Sequence, residues 1–246
     1  VVVITPGIEE YAPYIEAVFG SADGEPVIPY TVADRSARGD GKSVDAFLKI
    51  MDLLDTGFLM SDVMPVFEIE PVHRKFGMTR SDLETVMKAV RDSGIKWGID
   101  RRFRELKGAP PFEQNTWRFG FERMLLGYSM PGGGVETFGG VMPYDRIEGQ
   151  RARTVARFMT FCETLFRTWS SFNMERSLSD WAARLNGLID DIMVEDSDNA
   201  EEMRFLRKMF DSLRNEERLS GIKCAVGVRV IKAVLEEKIM LSGFNR

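Results

Sequence analysis

The stretch TVARFMTFCETLFRTW, residues 154–169, decides the fold of this chain. Its large apolar side chains recur three or four positions apart, which is the period of an amphipathic α-helix. The residues of this apolar face are Val155, Phe158, Met159, Cys162, Leu165, Phe166 and Trp169. The stretch predicts a long helix, of about five turns or more, with one face buried against other helices.

The same helical period continues through most of the chain from Val44 onward. Apolar stripes of this kind lie within residues 47–54, 83–90, 117–128, 181–192, 203–213 and 230–239. Two of the helices are predicted to begin at Thr79 and Ser177, because each is followed three positions later by an Asp, as in a capping box. The Gly-rich residues 131–144 and the acidic residues 190–202 are predicted to be surface loops between helices.

Residues 1–43 have a different pattern. VVVIT (1–5) and EPVIPYTVAD (25–34) predict two short strands, and the residues between them predict a helix that ends at Gly20. Together they predict one parallel βαβ unit, which cannot bury its own faces, so we expect the chain to be a piece of something larger. The predicted fold is mainly α: a short N-terminal βαβ segment over 1–43, then a helical domain over 44–246.

The composition excludes several classes of protein. The chain has 33 Lys+Arg against 38 Asp+Glu, a net charge of −5, which excludes a globally basic nucleic-acid binder. Two cysteines cannot form a disulfide framework or a four-thiolate metal site, and Cys162 and Cys224 are both predicted to be reduced core residues. No stretch resembles a signal peptide or a membrane span, so the predicted location is cytoplasmic.

Candidate catalytic and metal-binding residues are few. The only histidine, His73, has no neighbouring cysteine or pair of carboxylates with the spacing of a metal or nucleophile site. Asp196 and Asp198 resemble the first ligands of a calcium loop, but Glu201 stands where that loop requires glycine. We therefore predict no catalytic residue, no metal site and no cofactor in this chain by itself, which would not be an enzyme alone.

Residues 36–43, SARGDGKS, resemble a phosphate-binding loop, because they lie between a predicted strand and a predicted helix. That loop requires glycine at the position of Ser36, where the backbone turns tightly around a phosphate. No apolar strand ending in Asp, which would hold Mg²⁺, is evident further along the chain. A solvated turn is the favoured interpretation, and a nucleotide-binding module that uses Lys42 is kept as an alternative.

A local basic segment is a more promising candidate. Its proposed DNA contacts are Lys96, Trp97, Arg101, Arg102, Arg104 and Lys107. Arginine and lysine bind phosphates, and aromatic rings stack on bases, so this mixture is typical of nucleic-acid binding. Asp100 and Glu105 dilute the positive charge. The alternative is a loop whose Trp97 packs into the core while its arginines lie in water.

Six stretches occur in a specific order and separation along the chain. They are ITPGIEEYAPYIEAVFG (4–20), IPYTVADRSAR (28–38), SGIKWGID (93–100), NTWRFGFERMLLGYSM (115–130), VMPYD (141–145) and LEEKIMLSGF (235–244). This set resembles the RecC family, the gamma subunits of exodeoxyribonuclease V, the RecBCD helicase–nuclease. The blocks at 93–100 and 115–130 are the most specific, and the resemblance is thin between residues 185 and 225.

The resemblance implies a superfamily 1 helicase architecture whose motor motifs have degenerated. Residues 1–43 would be part of its second RecA-like domain, 2A, and residues 44–246 would be the helical 2B domain that is inserted into 2A. It implies a non-catalytic scaffold and DNA-channel segment of an ATP-dependent complex that processes double-strand DNA ends for recombinational repair.

The partners that the resemblance implies are RecB-like and RecD-like subunits, together with double-strand DNA ends and single-stranded DNA bound by the full complex. ATP and Mg²⁺ would be used by the partner subunits. A stand-alone helical protein-interaction domain is a further alternative.

Overall fold

The structure is a computed structural model of the chain. It describes residues 41–130, 137–144, 147–221 and 224–242, together with the helical residues Tyr11, Tyr14, Ile15 and Phe19. The two predicted strands of the N-terminal βαβ unit lie outside the described residues, as do residues 36–40 and 131–136.

Ten helices make up most of the described residues. They are α1 (Lys42–Asp55), α2 (Met60–Phe67), α3 (Glu70–Lys75), α4 (Arg80–Asp92), α5 (Arg101–Leu106), α6 (Trp117–Ser129), α7 (Gln150–Phe172), α8 (Leu178–Ile192), α9 (Ala200–Ser220) and α10 (Val228–Leu241). In the described ranges, β-structure is limited to two isolated bridges, Phe138 with Val141 and Arg176 with Val226. The prediction of a mainly α fold is confirmed.

The longest helix, α7, contains the stretch that decided the predicted fold. It packs against α4 and against α8, and its apolar face lies in the core. The rings of Phe158 and Phe161 each lie 4.9 Å from the ring of Phe67 in α2, measured between ring centroids. Burial of such large rings is the main favourable term in helix assembly, and the tilted contacts add to it.

Helices α8 and α9 form the most extensive helix pair, joined by residues 193–199. Helix α8 begins as predicted, because the Ser177 hydroxyl accepts a hydrogen bond from the Asp180 N–H at 3.1 Å. The acidic residues 190–202 are not simply a surface loop, since they include the end of α8 and the first turn of α9. Glu202 in that turn is buried, which corrects the prediction.

The sequence pattern missed three short helices and misplaced a few side chains. Helices α2, α3 and α5 have only six to eight residues, too few to establish a period, and α2 contains Pro65. Leu125, Tyr128 and Val230 were placed on apolar faces but are more than half exposed. Among the described helices, none combines the length and the apolar character that crossing a membrane requires.

Candidate nucleic-acid interface

The two most specific blocks of the sequence, 93–100 and 115–130, lie side by side in the structure. The carbonyl of Asn115 accepts hydrogen bonds from the N–H groups of Lys96 and Trp97, at 2.9 and 3.2 Å. Further along, the Trp117 N–H donates to the Gly98 carbonyl at 3.0 Å. The segment that carries the predicted DNA contacts is therefore fixed by the backbone at the start of α6.

The other edge of this segment is fixed by residues 57–60. The Gly98 N–H donates to the Gly57 carbonyl and the Met60 N–H donates to the Lys96 carbonyl, each at 2.8 Å. Because both edges of the extended segment are hydrogen-bonded, its backbone groups are satisfied without a regular sheet. This explains why a segment without helical periodicity is nevertheless well defined.

Phe58 connects the segment to the core. Its φ of 51° is unusual for a bulky residue and is maintained by the packing around it. The ring lies 5.6 Å from the ring of Phe103 in α5 and 5.6 Å from that of Phe166 in α7. The Phe58 carbonyl also accepts a hydrogen bond from the Trp117 indole Nε1 at 2.7 Å. Helix α5 and the segment before it are therefore held directly on the aromatic core.

Arg104 lies inside this arrangement rather than on the surface, with 6% of its area exposed. Its guanidinium stacks on the Trp97 ring at 4.6 Å and donates to the Trp97 carbonyl at 3.1 Å and the Phe112 carbonyl at 2.9 Å. Burial lowers the pKa of Arg104 from its ordinary value, and the charge of Glu113 acts in the opposite direction. Arg104 thus serves to position the residues around it.

Gly98 makes room for that guanidinium. It has a φ of +81°, and a Cβ atom at this position would lie 3.2 Å from the Cγ and Nε atoms of Arg104. Any side chain would therefore meet both an unfavourable backbone conformation and a close contact. Glycine in the SGIKWGID block is required by the position of Arg104, which gives a physical reason for that part of the motif.

The remaining cations of the segment face solvent. Lys96, Arg101 and Arg102 are exposed, and in the described part of the chain none of their side chains makes a hydrogen bond or ion pair. Lys107 is also exposed and donates to the Asp55 carbonyl at 3.1 Å. We call these four residues the basic surface. Trp97 is only partly buried and packs against the core cluster.

Asp55 brings two further cations next to Lys107. Arg229 in α10 has an 85% exposed side chain, and its Nε lies 3.4 Å from an Asp55 carboxylate oxygen. Lys232 binds Asp52 at 2.7 Å and Asp55 at 3.4 Å. Burial lowers the pKa of Lys232, but these acidic neighbours outweigh that effect and raise it overall, so the group stays charged. No sequence pattern indicates Arg229, because only the fold brings it near Lys107.

Acidic residues also lie among the cations of the basic surface in the sequence. Asp100 is engaged, because its carboxylate accepts from the Phe103 N–H at 2.8 Å and lies 3.6 Å from the Arg118 Nε. Glu105 is exposed and leaves a negative charge on α5. The free positive charge therefore concentrates at Lys96, Arg101 and Arg102.

Residues 36–43, which resemble a phosphate loop but were predicted to be a solvated turn, end at the N-terminus of α1, where Gly41 has a left-handed conformation. The Ser43 N–H, which would face a phosphate, donates to the Glu202 carboxylate at 2.6 Å. Asn199 donates to the Ser43 hydroxyl at 3.2 Å, and the Lys42 ammonium lies 3.4 Å from Glu70. A carboxylate from α9 thus occupies the place that a phosphate would need.

The other candidate reactive residues do not form a site: they are buried, exposed singly or engaged in an ion pair. His73 is buried. Cys162 is buried as well, and its burial raises the pKa of the thiol well above its ordinary value, aided by the charge of Glu163. Cys224 is exposed, so its prediction as a core residue is wrong. Asp196 binds Arg74 at 2.7 Å. In the described ranges no group of three or more His, Cys, Asp and Glu side chains could hold a metal ion.

Comparison with known proteins identifies relatives of this chain. The family model described as the fourth domain of the RecBCD enzyme subunit RecC matches residues 41–242. The RecBCD enzyme subunit RecC of Escherichia coli K12 is 30% identical over 240 residues, covering 97% of this chain and 21% of that protein. The RecC subunit of Mycolicibacterium smegmatis is 31% identical over 216 residues, covering 80% of this chain and 20% of that protein.

A third relative, the RecC subunit of Haemophilus influenzae, is 29% identical over 217 residues, covering 87% of this chain and 18% of that protein. The chain therefore spans about a fifth of the length of these relatives. The match of the family model begins at the residue before α1 and continues to the end of the last described helix.

Proposed function

The chain belongs to the RecC fourth-domain family, and from this premise we propose that it is a non-catalytic, DNA-contacting scaffold segment of a RecC-type subunit. In this proposal its partners are RecB-like and RecD-like subunits, and the complex is an exodeoxyribonuclease V that processes double-strand DNA ends. ATP and Mg²⁺ are used by the partner subunits. One observation carries the proposal: free cations project from a segment that is fixed to the aromatic core.

The domain assignment is also part of this proposal. The helical residues 44–246 correspond to a 2B-like domain, and residues 1–43 are part of a RecA-like 2A domain. The start of α1 at Lys42, next to the first residue of the family match, supports a boundary at this position. A mainly helical body without long strands in its described ranges is what an inserted 2B-like domain requires.

The basic surface is proposed to contact the phosphates of a single DNA strand. Lys96, Arg101 and Arg102 have no internal ion pair in the described part of the chain, so contact with a phosphate breaks no existing interaction. Arg104 differs, because its guanidinium already binds two carbonyl groups. We therefore assign it to positioning rather than to phosphate contact. Counterion release makes such binding strongly dependent on salt.

The test uses the full-length subunit in a complex reconstituted with its partners. A combined Lys96→Ala, Arg101→Ala and Arg102→Ala variant is expected to assemble normally, because these side chains lie on the surface. Single-strand binding is measured over a range of salt concentrations, and the slope of log K against log salt is expected to decrease by about 0.7 for each lost phosphate contact.

The matched control removes three exposed cations from another place: Lys75→Ala, Arg80→Ala and Lys88→Ala, on and around α3 and α4. This control changes the net charge by the same amount and is expected to keep the wild-type slope. If both triple variants give the wild-type slope, the basic surface does not contact DNA. If they lower it equally, net charge is responsible rather than this surface.

The nucleotide-binding alternative predicts that Lys42 binds a triphosphate. The Glu202 carboxylate at the Ser43 N–H argues against it, because the negative charge would repel a phosphate at this helix end. We expect no ATP binding at millimolar nucleotide, in the wild-type chain or after Lys42→Ala, by equilibrium dialysis. Saturable binding that Lys42→Ala abolishes would instead support a nucleotide site.

A further inference from the structure

Phe112 is an exposed aromatic residue in the loop that follows α5, the helix that carries Arg101 and Arg102. The residue is 63% exposed. It follows Pro110 and Pro111, which restrict the backbone conformation of the loop. The Phe112 N–H donates to the Pro110 carbonyl at 2.9 Å, which closes a tight turn. The ring is thus presented by a constrained loop rather than by a free chain.

The loop is also anchored from the core side. Arg104 donates to the Phe112 carbonyl at 2.9 Å, and the same guanidinium lies on the Trp97 ring. The Ala109 N–H donates to the Arg104 carbonyl at 2.9 Å, so the loop is tied back to α5 at two points. An exposed aromatic ring held in this way has little conformational entropy left to lose on binding a ligand.

We propose that Phe112 stacks on an unpaired base of a single DNA strand whose phosphates lie on the basic surface. This inference rests on the proposed function and adds the form of the ligand. An exposed aromatic ring on a loop anchored to the helix of Arg101 and Arg102 supplies a ring together with free cations, the combination that holds single strands, where every base has an accessible face. In a duplex the faces of the bases are covered by their neighbours, so the ring selects a single strand.

The competing occupant of this position is a protein partner. Leu106 is 66% exposed and lies in the same turn as Lys107, so the loop has some apolar surface besides the ring. Charge favours nucleic acid, because Arg101 and Arg102 on the same short helix are free of ion pairs in the described ranges and would be left without acceptors by an apolar partner. The experiment separates the two.

The test is an abasic scan with the reconstituted complex. Single-stranded oligonucleotides are prepared in which one position at a time lacks its base, and the affinity of each is measured for wild type and Phe112→Ala. For the wild-type complex, removal of the stacked base is expected to weaken binding about tenfold. For Phe112→Ala, binding of the intact strand is weaker by a similar factor, and the abasic position has no further effect.

The matched control is Phe138→Ala, which removes an equally exposed phenylalanine, at 61%, from the turn before α7. It is expected to keep the wild-type abasic profile. If Phe112→Ala also keeps that profile, the stacking proposal is wrong. If it keeps the profile and impairs assembly with the partner subunits, the loop is a protein-binding surface instead.

The two proposals fail in different ways. If only the stacking proposal is wrong, the Lys96, Arg101 and Arg102 triple variant still lowers the salt slope as expected, and Phe112→Ala keeps the wild-type abasic profile. Failure of the proposed function gives an unchanged salt slope in the triple variant. A Phe112→Trp variant that retains the abasic profile supports stacking, because the larger ring still offers a face to the base.

Discussion

Two buried ions in this chain, Glu202 and Arg104, have opposite relations to the surface. Glu202 is 2% exposed, and its carboxylate accepts the N–H of Ser43, which lies far away in sequence at the start of α1. Arg104 is 6% exposed, and its guanidinium donates to the carbonyls of Trp97 and Phe112, both within eight residues of it. The first ion joins two helices, and the second shapes a loop.

Burial of a charge is costly unless hydrogen bonds compensate it, so each ion marks a place where geometry matters. At Glu202 the bonded N–H belongs to the buried Ser43, so the carboxylate occupies this helix end. At Arg104 the bonded carbonyls belong to a segment that carries free cations and an exposed ring. The comparison teaches that the partners of a buried ion, rather than its burial, indicate whether it contributes to a binding surface.

The largest effect is expected for Glu202→Ala. It leaves the Ser43 N–H without a partner in a buried position, so the free energy of unfolding is expected to decrease by about 3 kcal/mol. Urea denaturation measures this change, with the exposed neighbour Glu201→Ala as control, for which we expect no significant change. The salt slope of single-strand binding should stay at the wild-type value. A reduced slope would show that the region around Glu202 and the region around Arg104 are not independent.

Arg104→Met is expected to have the next largest effect, and it should change both the free energy of unfolding and the binding of single strands. The thioether can still lie on Trp97 but cannot donate to either carbonyl, so we expect a loss of about 2 kcal/mol in the free energy of unfolding. The abasic response that depends on Phe112 should also be lost. The control is Arg101→Met, which should keep the stability and the abasic response. Normal binding by Arg104→Met would show that the loop needs no anchor.

The fold was largely predictable from the sequence because helical periods are local. Phe158, Cys162 and Leu165 define an apolar face without any knowledge of what covers it, and all three are buried. Short helices such as α5 were not predictable, since six residues hold no period. Tyr128 was misplaced: Trp117 and Phe121 of the same stripe contact Phe158 and Phe166 in α7, but Tyr128 is 59% exposed.

The candidate site was less predictable, because burial and distant contacts decide it. Arg101 and Arg104 are equivalent in the sequence, yet one is exposed and the other holds Phe112. Phe112 itself has no distinguishing pattern apart from its two prolines. Arg229 reaches the same region through Asp55, a contact between parts of the chain that no local motif reports.

Asp82 provides a test at a third place, the start of α4. The pKa of its carboxyl group is lowered, chiefly by the hydrogen bond from the Thr79 N–H at 2.9 Å, and burial acts against this effect. The Thr79 and Thr154 hydroxyls also donate to it, which ties α4 to α7. Asp82→Asn is expected to decrease the free energy of unfolding by about 1 kcal/mol at pH 7.

The pH dependence of this difference has a definite sign. Because the pKa of Asp82 is lower in the folded than in the unfolded state, its ionised form stabilises the fold at all pH values above the unfolded pKa, about 3.9. This contribution is lost as the pH falls through the folded pKa. The difference in the free energy of unfolding between wild type and Asp82→Asn should therefore be the same at pH 7 and pH 5 and smaller at pH 3. A constant difference would mean that the carboxylate charge is unimportant.

The smallest expected effect is a gain, at Gly187 in the middle of α8. A Cβ atom there would meet no atom within 4 Å, and alanine loses less backbone freedom on folding than glycine, so Gly187→Ala should stabilise the chain by about 0.5–1 kcal/mol. Gly221→Ala is the matched control: it is equally uncrowded, but its φ of +67° at the end of α9 disfavours alanine, so it should destabilise. Because α8 packs on α9, which carries Glu202, the substitution should stabilise the region in which Glu202 holds the start of α1, and it should leave single-strand binding unchanged. A change in DNA affinity with Gly187→Ala would show that the two regions are coupled through the core, so their separation would then be incorrect.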